Sequence, residues 1–341
     1  MPGQYQRIIV HAGRHKSGTT SLQRVLADAS NALAAAGVLY PGSGRRGIAH
    51  HPLANSFQDK SRRDPDSAAA AAAVVHEVAA EIAEWRGDVV VSSEAFQNVQ
   101  RPERLTELVD PARCEVVIYL RERYSYAQSS YAQAVHAKGW SGGFAEYLVT
   151  RDTSYDAFLR RWEAFGVSRL HVRPYHRAAL VGGDIVQDFV AAARLPDWVP
   201  SYAVPDQNPS IGGALLEFKR ALNGLPALPA AFGKGYNALS RVARRDAAFR
   251  TKPDAPVDMV RAFRRASAEA MRNLAERHPA LAVLASEEPA PAPRAFERED
   301  FDAVWRAIEA QSPAFAAACR QALAGEWTDD PALPLIAAAS G

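Results

Sequence analysis

The chain has 341 residues and a mass of 37.0 kDa, room for one large α/β domain or two smaller ones. Apolar residues make up 48% and charged residues 23%, which excludes a disordered chain. With 40 Lys+Arg against 38 Asp+Glu the net charge is +2, so no bulk field draws the chain to nucleic acid or membranes and any anion specificity is local.

In chain order, RIIVH (7–11) is short, apolar and β-branched, the pattern of a strand buried in a parallel sheet. A small polar loop (12–18) follows, then SLQRVLADASNALAAAG, read as one helix with Leu22, Val25, Leu26, Ala29 and Leu33 on one face and Gly37 as its stop. GVLYPGSG is a strand-like piece ended by Pro41 and Gly42, and the Ala-rich segment 68–85 reads as a helix because VVHEVAAEIAEW keeps helical spacing. VVVSSE (89–94) is a second buried strand, 102–109 a helix, CEVVIYLR (114–121) a third strand and SYAQSSYAQAVHAKG a helix. A helix over 155–165 feeds the strand LHVRPY (170–175), and DIVQDFVAAARL is again amphipathic. Strands alternating with helices predict an α/β fold of three layers, a mostly parallel central sheet flanked by helices. From about residue 200 the chain reads as helix and loop, including LLEFKRALNGL, MVRAFRRASAEAMRNLAERH and FDAVWRAIEAQSPAFAAACRQAL. The expectation is a single domain over 1–341, with a core at about 7–200 and a helical C-terminal cover at about 200–330.

Cys114 and Cys319 are the only cysteines, read as two buried thiols. No apolar run is long enough to span a membrane and no signal core opens the chain, so a cytoplasmic protein is expected. The His and Cys spacings match no metal motif, and no metal is expected.

The loop after the first strand carries the strongest chemical signal. Amides at a helix start are unspent donors, the helix dipole adds partial positive charge, and glycines let the backbone wrap an anion. Lys16 adds a full charge, and Thr19, Thr20 and Ser21 add hydroxyls. Lys16 precedes Gly18, so the Walker A order is not met.

The order Lys-Ser-Gly-Thr-Thr, within HAGRHKSGTTSLQ, resembles the 5′-phosphosulfate loop of sulfotransferases that use 3′-phosphoadenosine 5′-phosphosulfate (PAPS), in particular the bacterial and Golgi-type branches. The resemblance implies a P-loop-like sulfotransferase fold with Arg14, His15, Lys16, Ser17, Gly18, Thr19, Thr20 and Ser21 around the cofactor. In that family an Arg at the end of a later strand and a Ser eight residues on hold the 3′-phosphate; Arg121 and Ser129 stand at that spacing, with Ser130 as the alternate register. Tyr175 matches a strand-end Tyr that contacts the adenine. Outside 7–195 the resemblance ends, and the closing Arg-Lys-Gly of the soluble branch has only Gly233–Lys234–Gly235 as a counterpart.

Sulfuryl transfer needs a base for the acceptor hydroxyl and positive charge at the leaving oxygen. Lys16 is assigned the second role. Glu94, ending the strand VVVSSE where soluble sulfotransferases carry a catalytic His, is assigned the first; a structural acid is the other reading, and His51 of the pair His50–His51 is the second candidate base. The resemblance implies transfer from PAPS to a hydroxyl of a carbohydrate or glycolipid acceptor, without nucleic acid. An ATP-dependent kinase and a non-catalytic nucleotide-binding protein are the alternatives.

Overall fold

β-Branched runs pair into a sheet in which every strand is parallel. The computed structural model describes residues 5–13, 18–196, 210–225, 233–285, 293–325 and 329–340. In chain order it contains β1 (Ile8–His11), α1 (Thr19–Asp28), α2 (Ser30–Ala35), β2 (Val38–Leu39), α3 (His51–Ser56), α4 (Pro65–Ala83), β3 (Asp88–Ser92) and β4 (Cys114–Leu120). Then come α5 (Arg123–Lys138), α6 (Phe144–Thr150), α7 (Asp156–Ala164), β5 (Arg169–Pro174) and α8 (Ile185–Ala193). The remainder is helical: α9 (Gly213–Asn223), α10 (Gly233–Arg245), α11 (Val257–Arg277), α12 (Arg298–Gln311), α13 (Pro313–Leu323) and α14 (Ala332–Ala338). None of the described helices is long and apolar enough to cross a membrane.

The chain divides into two compact units: Met1–Glu122, Ser154–Val204 and Ala268–Ser286 form the first, and Arg123–Thr153, Pro205–Ser267 and Glu287–Gly341 the second. Residues 123–153, which the sequence pattern grouped with the core at 7–200, thus belong with the C-terminal helices.

The first unit holds the sheet, in the order β2-β3-β1-β4-β5, flanked by helices. Val10 pairs with Val91 on one side and Val116 on the other, and His11 with Ser92 and Val117. One sheet face, with Ile9, Val90, Val117 and Tyr119, packs against Leu22, Val25 and Leu26 of α1 and Phe189 of α8. The expected single helix over 21–37 is broken: Ala29 leaves helical geometry (φ −94°, ψ 12°), and the turn brings Leu33 of α2 into the core with Val38 and Tyr40. The expected helix at 102–109 is a 3-10 segment, Pro102–Glu107.

The second unit has its own core, centred on Phe218, Phe301, Trp305, Leu333 and Ile336. Here the amphipathic segment 301–323 is divided between two helices. Pro313 has no amide to donate and disfavours helical geometry before it, so α12 stops at Gln311 and Ser312 is extended (φ −161°, ψ 80°). Cys114 and Cys319 are free and buried, as expected, and burial pushes both thiols up to about 12.

Arg220 ties the second unit together. Its guanidinium, nearly buried, donates to Glu217 and to both oxygens of Asp330, at 2.5 and 2.8 Å, and to Ser141 O at 2.8 Å. Removing one partner of such a buried pair costs about 3–5 kcal/mol, because the other charges stay buried. Arg220→Ala is expected to lower the unfolding free energy by about that amount in urea denaturation followed by circular dichroism.

Candidate functional site

Strand order places the site. The chain leaves β1 toward β2 and β3, then returns from β3 across β1 to β4, so the connections on either side of β1 run in opposite directions. In a parallel sheet the crevice that takes a ligand opens beyond the carboxyl ends of the strands at such a reversal. The loop over 12–18 leaves β1 at that point.

A glycine stands at each described end of that loop, and neither has space for a side chain. A Cβ at Gly13 would stand 2.8 Å from Thr19 Oγ1 and 3.2 Å from His11 Cε1. Gly18, the N-cap of α1, has φ +74°, and a Cβ there would also meet the Tyr175 ring at 2.6 Å. Among the described residues no side chain caps α1, and no acid lies in its first turn, so no carboxylate of that turn offsets the partial positive charge of its N-terminus. Thr19 is buried, Ser21 half-buried and Thr20 exposed. Arg14, His15, Lys16 and Ser17 lie outside the described residues.

Tyr175 follows β5, and its N–H extends the ladder by donating to Leu120 O at 2.6 Å. The segment behind it is pinned by Asp188, fully buried on α8, which accepts from Tyr119 Oη (2.7 Å), Arg173 (2.5 and 2.7 Å) and Val181 N–H (3.0 Å). The ring against Gly18 therefore sits on fixed backbone, beside the start of α1. Arg121 follows β4, half-buried, its carbonyl accepting from Tyr155 Oη at 2.8 Å. Ser129 is on α5 in the second unit, where its Oγ donates to Ser125 O at 3.0 Å. The two members of the expected 3′-phosphate pair thus fall in different units.

The structure gathers the candidate acid–base residues. Glu94 opens a 3-10 segment directly after β3. Its Oε2 accepts from Gln23 Nε2 at 3.1 Å, and its Oε1 lies 3.6 Å from His51 Nε2. Ser93 Oγ accepts from Ala95 N–H at 3.0 Å and contacts His51 Nδ1 at 2.8 Å. Ser93 thus anchors the imidazole at Nδ1 and sets Nε2 on the side of Glu94. The result is a partly exposed carboxylate and imidazole, each held from behind, able to take a proton from a bound hydroxyl.

His50 is not available for that work. It is buried, Ser92 N–H donates to its Nδ1 (3.2 Å) and its Nε2–H donates to Pro41 O (3.0 Å), so both nitrogens are spent holding the chain before α3 against β3.

Two supports were not anticipated from the sequence, Gln23 and His11. Gln23 is a buried polar residue inside the apolar stripe Leu22, Val25, Leu26, which is the only signal it gives. His11 ends an otherwise apolar strand. Its Nδ1 is 2.7 Å from Ser92 Oγ, and its Nε2 is buried without a partner among the described residues. Burial lowers the pKa of His11, and likewise that of His50, to about 4.

Both imidazoles are neutral when folded and titrate near 6.5 when unfolded, so the unfolded chain binds more protons between those limits. Their contribution, about 3 kcal/mol each, is complete above pH 6.5 and is lost as pH falls toward 4. Urea midpoints measured across that window should fall steadily with acidification. Gly18→Ala is expected to cost at least about 1 kcal/mol from its φ alone, and Tyr175→Ala in the same chain should return only the part due to the ring contact, read as unfolding temperatures. No protein-family model, no curated protein and no solved structure matches this chain.

Proposed function

We propose that the protein is a PAPS-dependent sulfotransferase acting on a hydroxyl of a carbohydrate or glycolipid, in the cytoplasm. The observation that carries this reading is the pairing of an uncapped, acid-free helix N-terminus at the reversal of the sheet with a carboxylate held by that same helix through Gln23. The first is the donor set an anionic leaving group requires, and the second stands at the next strand end, as an acceptor for the hydroxyl proton.

The donor set fits the cofactor at its 5′ end. Gly13 packs against Thr19 and Gly18 against the Tyr175 ring, and α1 starts at that point with its N-terminal amides. Lys16, within the loop, is assigned to the leaving oxygen, and Arg121, after β4, to the 3′-phosphate, where a guanidinium fork suits the anion. Tyr175, whose ring stands against Gly18, is assigned to the adenine.

When bound, PAPS supplies an activated sulfuryl group. Glu94 takes the acceptor's hydroxyl proton as that oxygen bonds to sulfur and the bond from sulfur to the 5′-phosphate oxygen breaks. His51, anchored at Nδ1 by Ser93, stands beside Glu94 with its Nε2 3.6 Å from Oε1. The products are a sulfate ester and 3′-phosphoadenosine 5′-phosphate.

Calorimetry decides between this reading and a kinase. 3′-Phosphoadenosine 5′-phosphate is expected to bind at least about tenfold more tightly than ADP with Mg²⁺, and Arg121→Ala to remove that preference. Equal affinities would support the kinase reading instead. Glu94→Gln should keep nucleotide binding and lose about 10²–10⁴ in turnover of PAPS with a hydroxyl acceptor. Binding with turnover untouched by Glu94→Gln and Lys16→Ala would exclude the assigned chemistry.

A further inference from the structure

The second unit contains a cavity of about 530 Å³, within the ~300–1,000 Å³ typical of small-molecule sites. Its apolar wall is built by Tyr131 of α5, Phe144 of α6, Leu216 of α9, Phe249 and Phe296. The rings of Tyr131 and Phe144 meet at 5.1 Å and a tilt of 48°, which fixes both. Tyr131 and Phe249 are almost fully buried as residues, so the space they line is recessed rather than a surface dimple.

The polar wall has one dominant sign. Glu217, Asp246, Asp254, Glu299 and Asp300 line the cavity, against Lys252 and Arg294. Arg294 pairs with Asp300 at 2.6 Å and Glu217 with Arg220 at 2.6 Å, while Lys252 Nζ donates to Ser125 Oγ at 3.2 Å, so Asp246, Asp254 and Glu299 are the surplus acids of the wall. Burial, and after it the charge of Glu217, pushes the Tyr131 hydroxyl up, opposed by Arg220. Aromatic faces attract a cation, and organic ammonium groups are held by aromatic walls of this kind.

We propose that this cavity is a binding site for an amphipathic organic ammonium, its apolar body against Tyr131, Phe144, Leu216, Phe249 and Phe296 and its charge among the carboxylates. An anionic ligand of the same shape is disfavoured by the surplus of acids. The site lies wholly within the second unit and does not rest on the sulfotransferase reading of the first.

The test is calorimetric titration of the full chain with octyltrimethylammonium and with octyl sulfate, matched in chain length and kept below micelle formation. One ammonium should bind per chain, at least about tenfold more tightly than the sulfate. Ala303 lines the cavity from the half-buried face of α12, so Ala303→Trp fills it and should weaken the ammonium at least about tenfold. Glu299→Lys, on the exposed first turn of α12, should shrink the preference for the ammonium to below about threefold. Equal or tighter binding of octyl sulfate to the unaltered chain, the absence of saturable one-to-one binding, or full affinity in a folded Ala303→Trp protein would overturn the proposal. Should Ala303→Trp lower the unfolding temperature, Glu299→Lys decides: an unchanged preference overturns the assignment and a reduced one supports it.

Discussion

Because β1 runs between β3 and β4, and because all five strands are parallel, several different chain segments end at one edge of the sheet. The loop before α1, the segment carrying Glu94, Arg121 and Tyr175 all start there. A parallel strand cannot return by a tight turn, so each exit is followed by a crossover whose first residues lie at that edge. α1 then serves twice. Its first turn faces the loop, and Gln23, one turn further on, grips Glu94. The charge that would steady a leaving group and the carboxylate that would accept a proton thus share one rigid carrier. Their separation is set by helix geometry rather than by two independent loops.

Much of the first unit was readable from residue patterns. RIIVH, VVVSSE, CEVVIYLR and LHVRPY all became parallel strands, because β-branched runs of that length have no amphipathic alternative. The helix break at Ala29 was not readable. Alanine is the best helix former, and the kink is imposed by the core, which needs Leu33 beside Val38 and Tyr40. Pro313 did signal a break, but the apolar spacing runs through it and hides the stop. At the site, Glu94 and His51 were legible as polar residues after a strand and in the following loop. Their mutual contact was not, since 43 positions separate them and only the pairing of β3 with the chain before α3 brings them together. Gln23 and His50 illustrate the same limit: sequence gives a side chain's chemistry, whereas burial decides whether it supports or reacts.

The sheet edge also carries an energetic burden. His11 and His50 are buried polar rings beneath the strand ends, and one nitrogen of His11 has no partner among the described residues. An unmatched buried polar atom costs about 1–3 kcal/mol. The apolar packing of Ile9, Val90, Val117 and Phe189 around it offsets that cost while keeping the ring neutral.

The final helix is fastened at two atoms deep in the second unit. Trp305 Nε1–H donates to Ile336 O at 2.9 Å, while Arg220 grips Asp330 just ahead of α14. Unwinding α14 from Leu333 onward would strand an indole proton and hollow the space around Phe218. A short peripheral helix thus answers for the middle of the helical unit.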